Sequence, residues 1–599
     1  MALKPKKQAI GLYQLVLDII RNRLSRVQYI ILTAVIVGGV AGMMAVLLKT
    51  SVHHVHQWVN TFSERRLLFL FFPAIGLVLT TWVIHRFFNG YIEKGIAMVL
   101  KSIARRHANI PSRNNYVHFV TSAITVGFGG SAGLEAPIVA TGSSLGSTMG
   151  RLGKMPYADR ILMIACGAAA GIAAVYNAPI AGVIFAIEVL LVDTVVSHFV
   201  PLIISAVMGV LCSKIWVGDA NMFNFTLTQN FNYHFVPFYI LFGAISGFIA
   251  LYYARTFRKV DKAVHGWRLN YYVKALAGGT LLAACFLLFP PLYGEGYLSM
   301  TPLAKGRPED IVPQVSWADK VSPDALMLCF FALVFLLKPV AAAITIGSGG
   351  NGGNFAPSLF VGAFWGFVFS RLTNVTGWVQ LPESNFTLVG MAALLSGVMY
   401  CPLTAIFLIA EITNGYGLFI PLMIVSSISY FIVRQFEPFY MEIKEMAMRG
   451  QIFTHRRENN ILSSLHVPDL VQHRDRKLHI NDPLEKMIDL IQQPNLNNLA
   501  VVDDAGVLQG IIDLNDIRSI LAKHDQPVHT PVKQYMHAPP DTVYATENMV
   551  AIMKKFDATQ AAYLPVVQEN NEFIGFIYKA SLFDLYRQKL SVHRDIYEE

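Results

Sequence analysis

Long apolar segments recur along the first three-quarters of the chain. Residues 29–48 and 67–84 form the first two, and each is long enough, as a helix, to cross most or all of a hydrocarbon core of about 30 Å. This pattern predicts an all-α, polytopic membrane domain. Further apolar segments lie near residues 118–146, 161–192, 195–217, 234–254, 272–292, 325–346, 356–372, 386–412 and 418–433.

Glycine and proline interrupt many of these segments. A continuous spanning helix does not need such breaks, and unsatisfied backbone groups are costly in lipid. Broken helices must therefore line a cavity that is enclosed by protein or filled with water. A transport pathway is the usual reason for this arrangement.

Beyond about residue 440, apolar runs shrink to strand length and polar residues return. Short runs begin at Leu499 and Gly510, and similar runs begin at Leu564 and Gly575, so the tail repeats as strand, turn and strand. It is predicted to be a soluble α/β domain. Helices are predicted before and after each strand pair, at residues 482–492, 514–522, 547–557 and 580–590.

Only 15% of the 599 residues are charged, against about 25% in soluble domains, which excludes an ordinary soluble enzyme. The net charge of +9 is scattered over loops and the tail. This distribution favours lipid over nucleic acid as a partner. The five cysteines form no CxxC and no cluster with histidines, so neither a disulfide framework nor a metal site is predicted.

Basic residues precede the first apolar segment, and the positive-inside rule places this end of the chain in the cytoplasm. The interrupted apolar run at 12–20 lacks a cleavage site and predicts an amphipathic surface helix. The protein is expected to cross the cell (inner) membrane several times, with its tail in the cytoplasm. The predicted domains are the N-terminal helix (1–28), a pathway domain of two repeats (29–445), a linker (446–465) and the tail (466–599).

The membrane part contains an internal duplication. The motif Gly-Leu-Glu-Ala-Pro at 133–137 recurs as Gly-Asn-Phe-Ala-Pro at 353–357. Pro179 recurs at Pro402, and each is followed nine residues later by a glutamate. Interrupted helices at matching positions of two halves predict an inverted-repeat transporter with its site between the repeats.

Each of the two motifs is predicted to start a helix, with its proline in the first turn. Two helix N-termini that meet would present free amides and positive dipole ends, and so bind an anion. Gly133 is a candidate contact in this site. The alternative is that these glycines only allow close helix packing.

Glu135 lies inside the first break, among small and apolar neighbours. A carboxylate in the membrane costs about 2.5–3.5 kcal/mol on insertion scales, so a function or a partner is expected. Beside a helix N-terminus it could occupy the anion site, and protonation would release it, as in a gate. Alternatively, Glu135 only caps its own helix.

Three other ionisable groups fall within apolar segments. Glu188 and Glu411, at equivalent positions of the repeat, are expected to accept hydrogen bonds from loop backbone. Lys338 precedes the second break. It either extends to the membrane surface or adds positive potential to the pathway.

The motifs at 133–137, 167–179 and 347–357, together with the paired tail repeats, resemble the CLC family of chloride channels and transporters with CBS domains. The resemblance implies an inverted-repeat fold, a homodimer with one chloride pathway per subunit and cytoplasmic CBS pairs. It also implies site residues. Glu135 matches the gating glutamate, the amides of Asn354 and Phe355 match donors of the central anion site, and Tyr440 matches the anion-coordinating tyrosine.

Several positions depart from the family pattern. Lys94 replaces the serine that contacts the ion, and Val189 stands where many exchangers carry an inner, proton-accepting carboxylate. In the first CBS repeat, Asp516 could hold a ribose, whereas Asp513 would repel phosphate. Both an adenine-nucleotide site and a structural, dimerising role therefore stay open for the tail.

Because valine cannot relay protons, the sequence favours passive, gated chloride permeation of the CLC type, without a cofactor. The alternative is a proton-coupled chloride antiporter. A CBS-regulated divalent-cation transporter, from a different class, would need carboxylate-rich pathway segments, and this chain has few. An enzyme would need a paired nucleophile and base or clustered metal ligands in the spans, and the sequence offers neither.

Overall fold

The computed structural model describes residues 23–61, 71–93, 95–190, 199–218, 231–311, 323–448, 465, 467–472, 476–491, 498–513 and 530–594. Four features of the sequence analysis lie outside these residues: the N-terminal helix at 12–20, Lys94, Asp516 and the tail helix at 514–522. The chain forms two compact units, Met1–Ile452 and Phe453–Glu599.

The first unit is helical, as the apolar pattern predicts. Within the described ranges, eight helices are long and apolar enough to cross a membrane. The helices are α1 (Arg26–Asn60), α2 (Phe72–Phe87), α3 (Gly95–Arg105), α4 (Asn114–Gly127), α5 (Glu135–Leu152), α6 (Tyr157–Tyr176), α7 (Pro179–Phe185), α8 (Phe199–Val217), α9 (Val236–His265), α10 (Tyr271–Leu288), α11 (Tyr297–Ala304), α12 (Pro323–Gly347), α13 (Phe355–Val375), α14 (Glu383–Met399), α15 (Pro402–Ile412), α16 (Phe419–Phe436) and α17 (Lys444–Met448).

Both predicted breaks are helix starts. Helix α5 begins at Glu135 and α13 at Phe355, each with its proline as the third residue. The two breaks meet: the Gly133 N–H donates to the Gly353 carbonyl at 2.9 Å, and the Gly353 N–H donates to the Gly133 carbonyl at 2.8 Å. The duplicated motifs therefore form one junction between the two repeats.

The helices that carry the junction lie inside the unit. The apolar windows of α6 and α13 are 89% and 83% buried, whereas that of α10 is only 28% buried. Close packing of α5 on α6 depends on Gly142 and Gly167, because a Cβ added to either would collide with the backbone carbonyl of the other. The junction is thus enclosed by protein.

The second pair of breaks also repeats. Asn177 caps the C-terminus of α6, and Tyr400 caps the C-terminus of α14. Both residues adopt the left-handed conformation, with φ of 53° and 58°. Each cap is followed by the proline that opens the next helix, at Pro179 and Pro402. Tyr400 therefore corresponds in structure to Asn177. The residue before Asn177 is Tyr176, and its hydroxyl contacts Glu135.

The second unit contains two copies of one α/β motif. In each copy the first strand is parallel to the second, and the second is antiparallel to the third. Asp503 follows the second strand of the first copy. Its side chain accepts hydrogen bonds from the backbone N–H groups of Val507 and Ala505, and these bonds hold the pKa of the Asp503 carboxyl below its usual range. The elements are α18 (Val467–Leu470), β1 (Lys477–His479), α19 (Leu484–Ile491), β2 (Asn498–Val502), β3 (Leu508–Asp513), β4 (Val543–Tyr544), α20 (Met549–Thr559), β5 (Tyr563–Val567), β6 (Phe573–Tyr578) and α21 (Lys579–Arg594).

Candidate functional site

Glu135 is the first residue of α5, and its side chain is enclosed at the junction. The residue is 1% exposed. Its Oε1 atom accepts hydrogen bonds of 2.6 Å from the hydroxyls of Tyr176 and Tyr297. Two tyrosine hydroxyls, from α6 and α11, therefore hold this carboxylate oxygen in place.

The other oxygen of Glu135 reaches the opposite repeat. Oε2 accepts a 3.4 Å hydrogen bond from the backbone N–H of Ala356, in the first turn of α13. The first N–H groups of a helix have no partner within the helix and attract anions. The Glu135 carboxylate is therefore bonded to a helix start, a group that attracts anions.

Gly133, Asn354 and Phe355 lie around the same helix start. The Gly133 N–H is engaged by Gly353, so Gly133 holds the junction together in this structure and does not offer its amide to an anion. Phe355 opens α13 and is 2% exposed, so its N–H belongs to the unpaired first turn. The Asn354 side chain accepts a 3.1 Å hydrogen bond from the Tyr253 hydroxyl.

Tyr440 follows the end of α16. Its ring lies 6.1 Å from the ring of Tyr400, and the residue is 8% exposed. The Tyr440 hydroxyl is buried and has no hydrogen-bond partner among the described residues. An unpaired buried hydroxyl is costly unless a ligand accepts from it. This geometry suits an anion-binding hydroxyl.

A buried group of charges lies beside Glu135. Lys338 is fully buried and donates to the carbonyls of Leu292 (3.2 Å) and Gly294 (2.9 Å), so it does not extend to a membrane surface. Glu295, which the sequence analysis missed, interacts electrostatically with Glu135, Lys338 and Lys49. Two lysines and two carboxylates thus offset one another in the protein interior.

The family model described as voltage gated chloride channel matches residues 76–434, and the CBS domain model matches residues 468–523 and 532–587. The first match covers more than half of the chain. The chain belongs to the voltage-gated chloride channel (CLC) family. The two CBS matches coincide with the two copies of the α/β motif.

Relatives of this CLC chain carry different names. A putative ClcB-like chloride channel protein of Ralstonia nicotianae is 28% identical over 370 residues, which cover 60% of this chain and 81% of that protein. The H+/Cl− exchange transporter ClcA of Vibrio cholerae is 25% identical over 445 residues, which cover 70% of this chain and 90% of that protein. The crystal structure of a slow cyanobacterial Cl−/H+ antiporter is 22% identical and covers 70% of this chain and 97% of its own, with a TM-score of 0.59. This structural similarity shows a shared fold.

Glu188 and Glu411 hold the two repeats of the CLC chain together. Glu188 accepts hydrogen bonds from the N–H groups of Leu403 (3.1 Å) and Thr404 (2.9 Å) and from the Thr404 hydroxyl (2.7 Å). Glu411 accepts from the N–H groups of Ile180 (3.0 Å) and Ala181 (2.8 Å). Each glutamate therefore caps the matching helix of the other repeat. Backbone donors are found as predicted, but they belong to helix starts and not to loops.

Replacing Glu188 with Ala is expected to lower the free energy of unfolding by about 2 kcal/mol, because three donors in the first turn of α15 lose their acceptor. Glu411→Ala removes the acceptor of two donors and should cost less. Thermal unfolding in detergent, followed by tryptophan fluorescence, measures both. Melting temperatures equal to that of the wild type would contradict this role.

Proposed function

We propose that this CLC chain is a proton-coupled chloride exchanger. The observation that carries the proposal is the position of Glu135, whose carboxylate is bound to the first turn of α13, where an anion would bind. Protonation removes the charge that competes with the anion, so proton binding and anion binding at this site favour one another. Such linkage is the requirement for coupled transport.

The named relatives support exchange more than they support a channel, because the Vibrio cholerae relative covering 70% of the chain is an H+/Cl− exchange transporter. Passive permeation is the second candidate. It is favoured by Val189, a buried apolar residue beside Glu188 that cannot accept a proton. An exchanger of this sequence needs another acid on the inner side of the pathway.

The proposal also names the permeant ion, the residues of its site, and the assembly and location of the protein. Chloride is the permeant ion, Glu135 is the gate, and Asn354, Phe355 and Tyr440 contact the anion. Lys338, which is buried and interacts electrostatically with Glu295, adds positive potential. The protein acts as a homodimer in the cell (inner) membrane with its CBS tail (466–599) in the cytoplasm. Calorimetry with ATP and AMP on the full chain distinguishes a nucleotide-binding tail from a structural one.

Liposomes that contain the purified protein test the proposal. An outward chloride gradient is expected to drive protons into the liposomes against a proton gradient, because each step of chloride exit requires proton entry. A chloride electrode and a pH electrode record both fluxes together. Rapid chloride efflux without uphill proton movement would contradict exchange and establish the channel interpretation.

A further inference from the structure

A second carboxylate approaches the start of α13. Glu442 lies between α16 and α17, two residues after Tyr440. Its Oε1 atom accepts a 3.4 Å hydrogen bond from the side-chain amide of Asn354, and the Asn354 backbone N–H also faces this carboxylate. Its Oε2 atom is buried and has no hydrogen-bond partner in the part of the chain that the structure describes.

The segment that carries Glu442 is firmly anchored. Glu437 forms ion pairs with Arg255 (3.4 Å), Arg258 (3.1 Å) and Lys444. The Tyr400 hydroxyl donates to the Glu437 carbonyl at 2.6 Å. These contacts hold both ends of the segment, so Glu442 is kept at the helix start by the fold.

The described surroundings of Glu442 contain no positive charge that would stabilise its ionised form. The described titratable groups that face it are the phenols of Tyr253 and Tyr440, neither of which carries a positive charge. Gly95, with φ of 68°, brings backbone close to Oε2, since an added Cβ would lie 3.5 Å away. A buried carboxylate with one unpaired oxygen is costly when ionised, and a proton relieves that cost.

Glu135 and Glu442 reach adjacent parts of one helix terminus. Glu135 is bonded to the N–H of Ala356, and Glu442 is bonded to Asn354, two residues earlier. Arg255, Arg258 and Lys444, which pair with Glu437 at the start of this segment, mark its side as the cytoplasmic one by the positive-inside rule. The two carboxylates therefore flank the candidate anion site, one toward each solution.

We propose that Glu442 is the inner proton-carrying carboxylate of this transporter and competes with chloride for the start of α13 from the cytoplasmic side. The inference rests on the proposed exchange function. When Glu442 takes a proton from the cytoplasmic solution, its neutral acid releases Asn354 and an anion can bind. When it passes that proton to Glu135, Glu442 becomes ionised again and Glu135 becomes neutral. No further reactant is needed, and Glu442 supplies the acid that Val189 lacks.

The variant E442Q tests the inference in liposomes, with E445Q as the matched control. Glu445 is a 61%-exposed acid on α17 and lies outside the anion site. In E442Q we expect the ratio of uphill proton movement to chloride flux to fall on the order of a hundredfold, the usual contribution of a positioned proton-transfer group. E445Q should keep both fluxes. In detergent, E442Q should bind chloride about tenfold more tightly at neutral pH, because a competing negative charge is gone.

The outcomes separate the two proposals. Wild-type coupling that persists unchanged in E442Q would overturn the inference and leave the exchange function intact. A wild type that moves no protons uphill would overturn both. If E442Q does not fold, as judged by size-exclusion chromatography, E442D decides: its shorter side chain withdraws from Asn354, so weakened coupling supports the inference and unchanged coupling overturns it.

Discussion

Replacing Glu135 with Gln abolishes uphill proton movement and leaves a chloride flux that no longer responds to the outer pH. In the wild type, this flux rises as the outer pH falls, by up to about tenfold per pH unit for a gate released by one proton. The reason is that the ionised Glu135 occupies the Ala356 amide, whereas the neutral Gln keeps the volume and cannot compete as an anion. Measurements of chloride flux in both proteins, from acid to neutral outer pH, check this.

Glu411→Gln provides the matched control for this prediction. The same chemical change there affects only the first turn of α7, outside the candidate anion site. We expect lower thermal stability with pH dependence and proton coupling retained. A Glu135→Gln protein whose flux still follows the outer pH as the wild type does would show that Glu135 only caps its helix.

Removing the hydroxyl of Tyr176 or Tyr297 moves the pH dependence of chloride flux to higher pH. Each hydroxyl donates a 2.6 Å hydrogen bond to Glu135, and such bonds stabilise the ionised, blocking form. A hydrogen bond to a charged group contributes about 1.5–3 kcal/mol, so each Tyr→Phe change should raise the half-maximal pH of chloride flux by about one to two units. The double variant should exceed either single one.

The control is Tyr157→Phe, at the other end of α6. The Tyr157 hydroxyl donates to the Ile103 carbonyl at 2.8 Å and does not contact the gate. The pH at which chloride flux is half-maximal should be the same in Tyr157→Phe as in the wild type. A downward shift in Tyr176→Phe or Tyr297→Phe would mean that the hydroxyls stabilise the neutral acid, contrary to the proposed gate.

The junction of the two repeats could be predicted from the sequence because it depends on local signals. Glycine and proline mark helix starts, and their duplication at 133–137 and 353–357 predicts that two starts meet. The bounds of α5 and α13 and the hydrogen bonds between Gly133 and Gly353 confirm this prediction. The equivalence of Glu188 and Glu411 could also be predicted, because each has the same spacing from a proline, but the helix that each one caps could not.

Contacts between distant residues could not be predicted in this way. Tyr297 is 162 residues from Glu135, and no periodic pattern connects them. Lys49 follows the apolar segment at 29–48 and Glu295 follows the one at 272–292, and their interaction depends on how whole helices pack. Strands β1 and β4, of three and two residues, are too short to leave an alternating pattern.

Glu442 shows how a signal can be present and missed. It stands two residues after Tyr440, the residue that the family resemblance singled out, but the sequence around it resembles an ordinary charged linker. Its significance depends on the fold, since the ion pairs of Glu437 direct this segment toward the start of α13.

The central claim is that chloride and protons move by one coupled process, and the zero-flux voltage of wild-type liposomes tests it most directly. With a fixed chloride gradient, the voltage that stops net chloride movement is measured while the pH gradient is varied. Coupled exchange predicts that this voltage shifts with the pH gradient, because proton free energy contributes to each transport cycle. A zero-flux voltage that stays at the chloride equilibrium potential for every pH gradient would contradict the account.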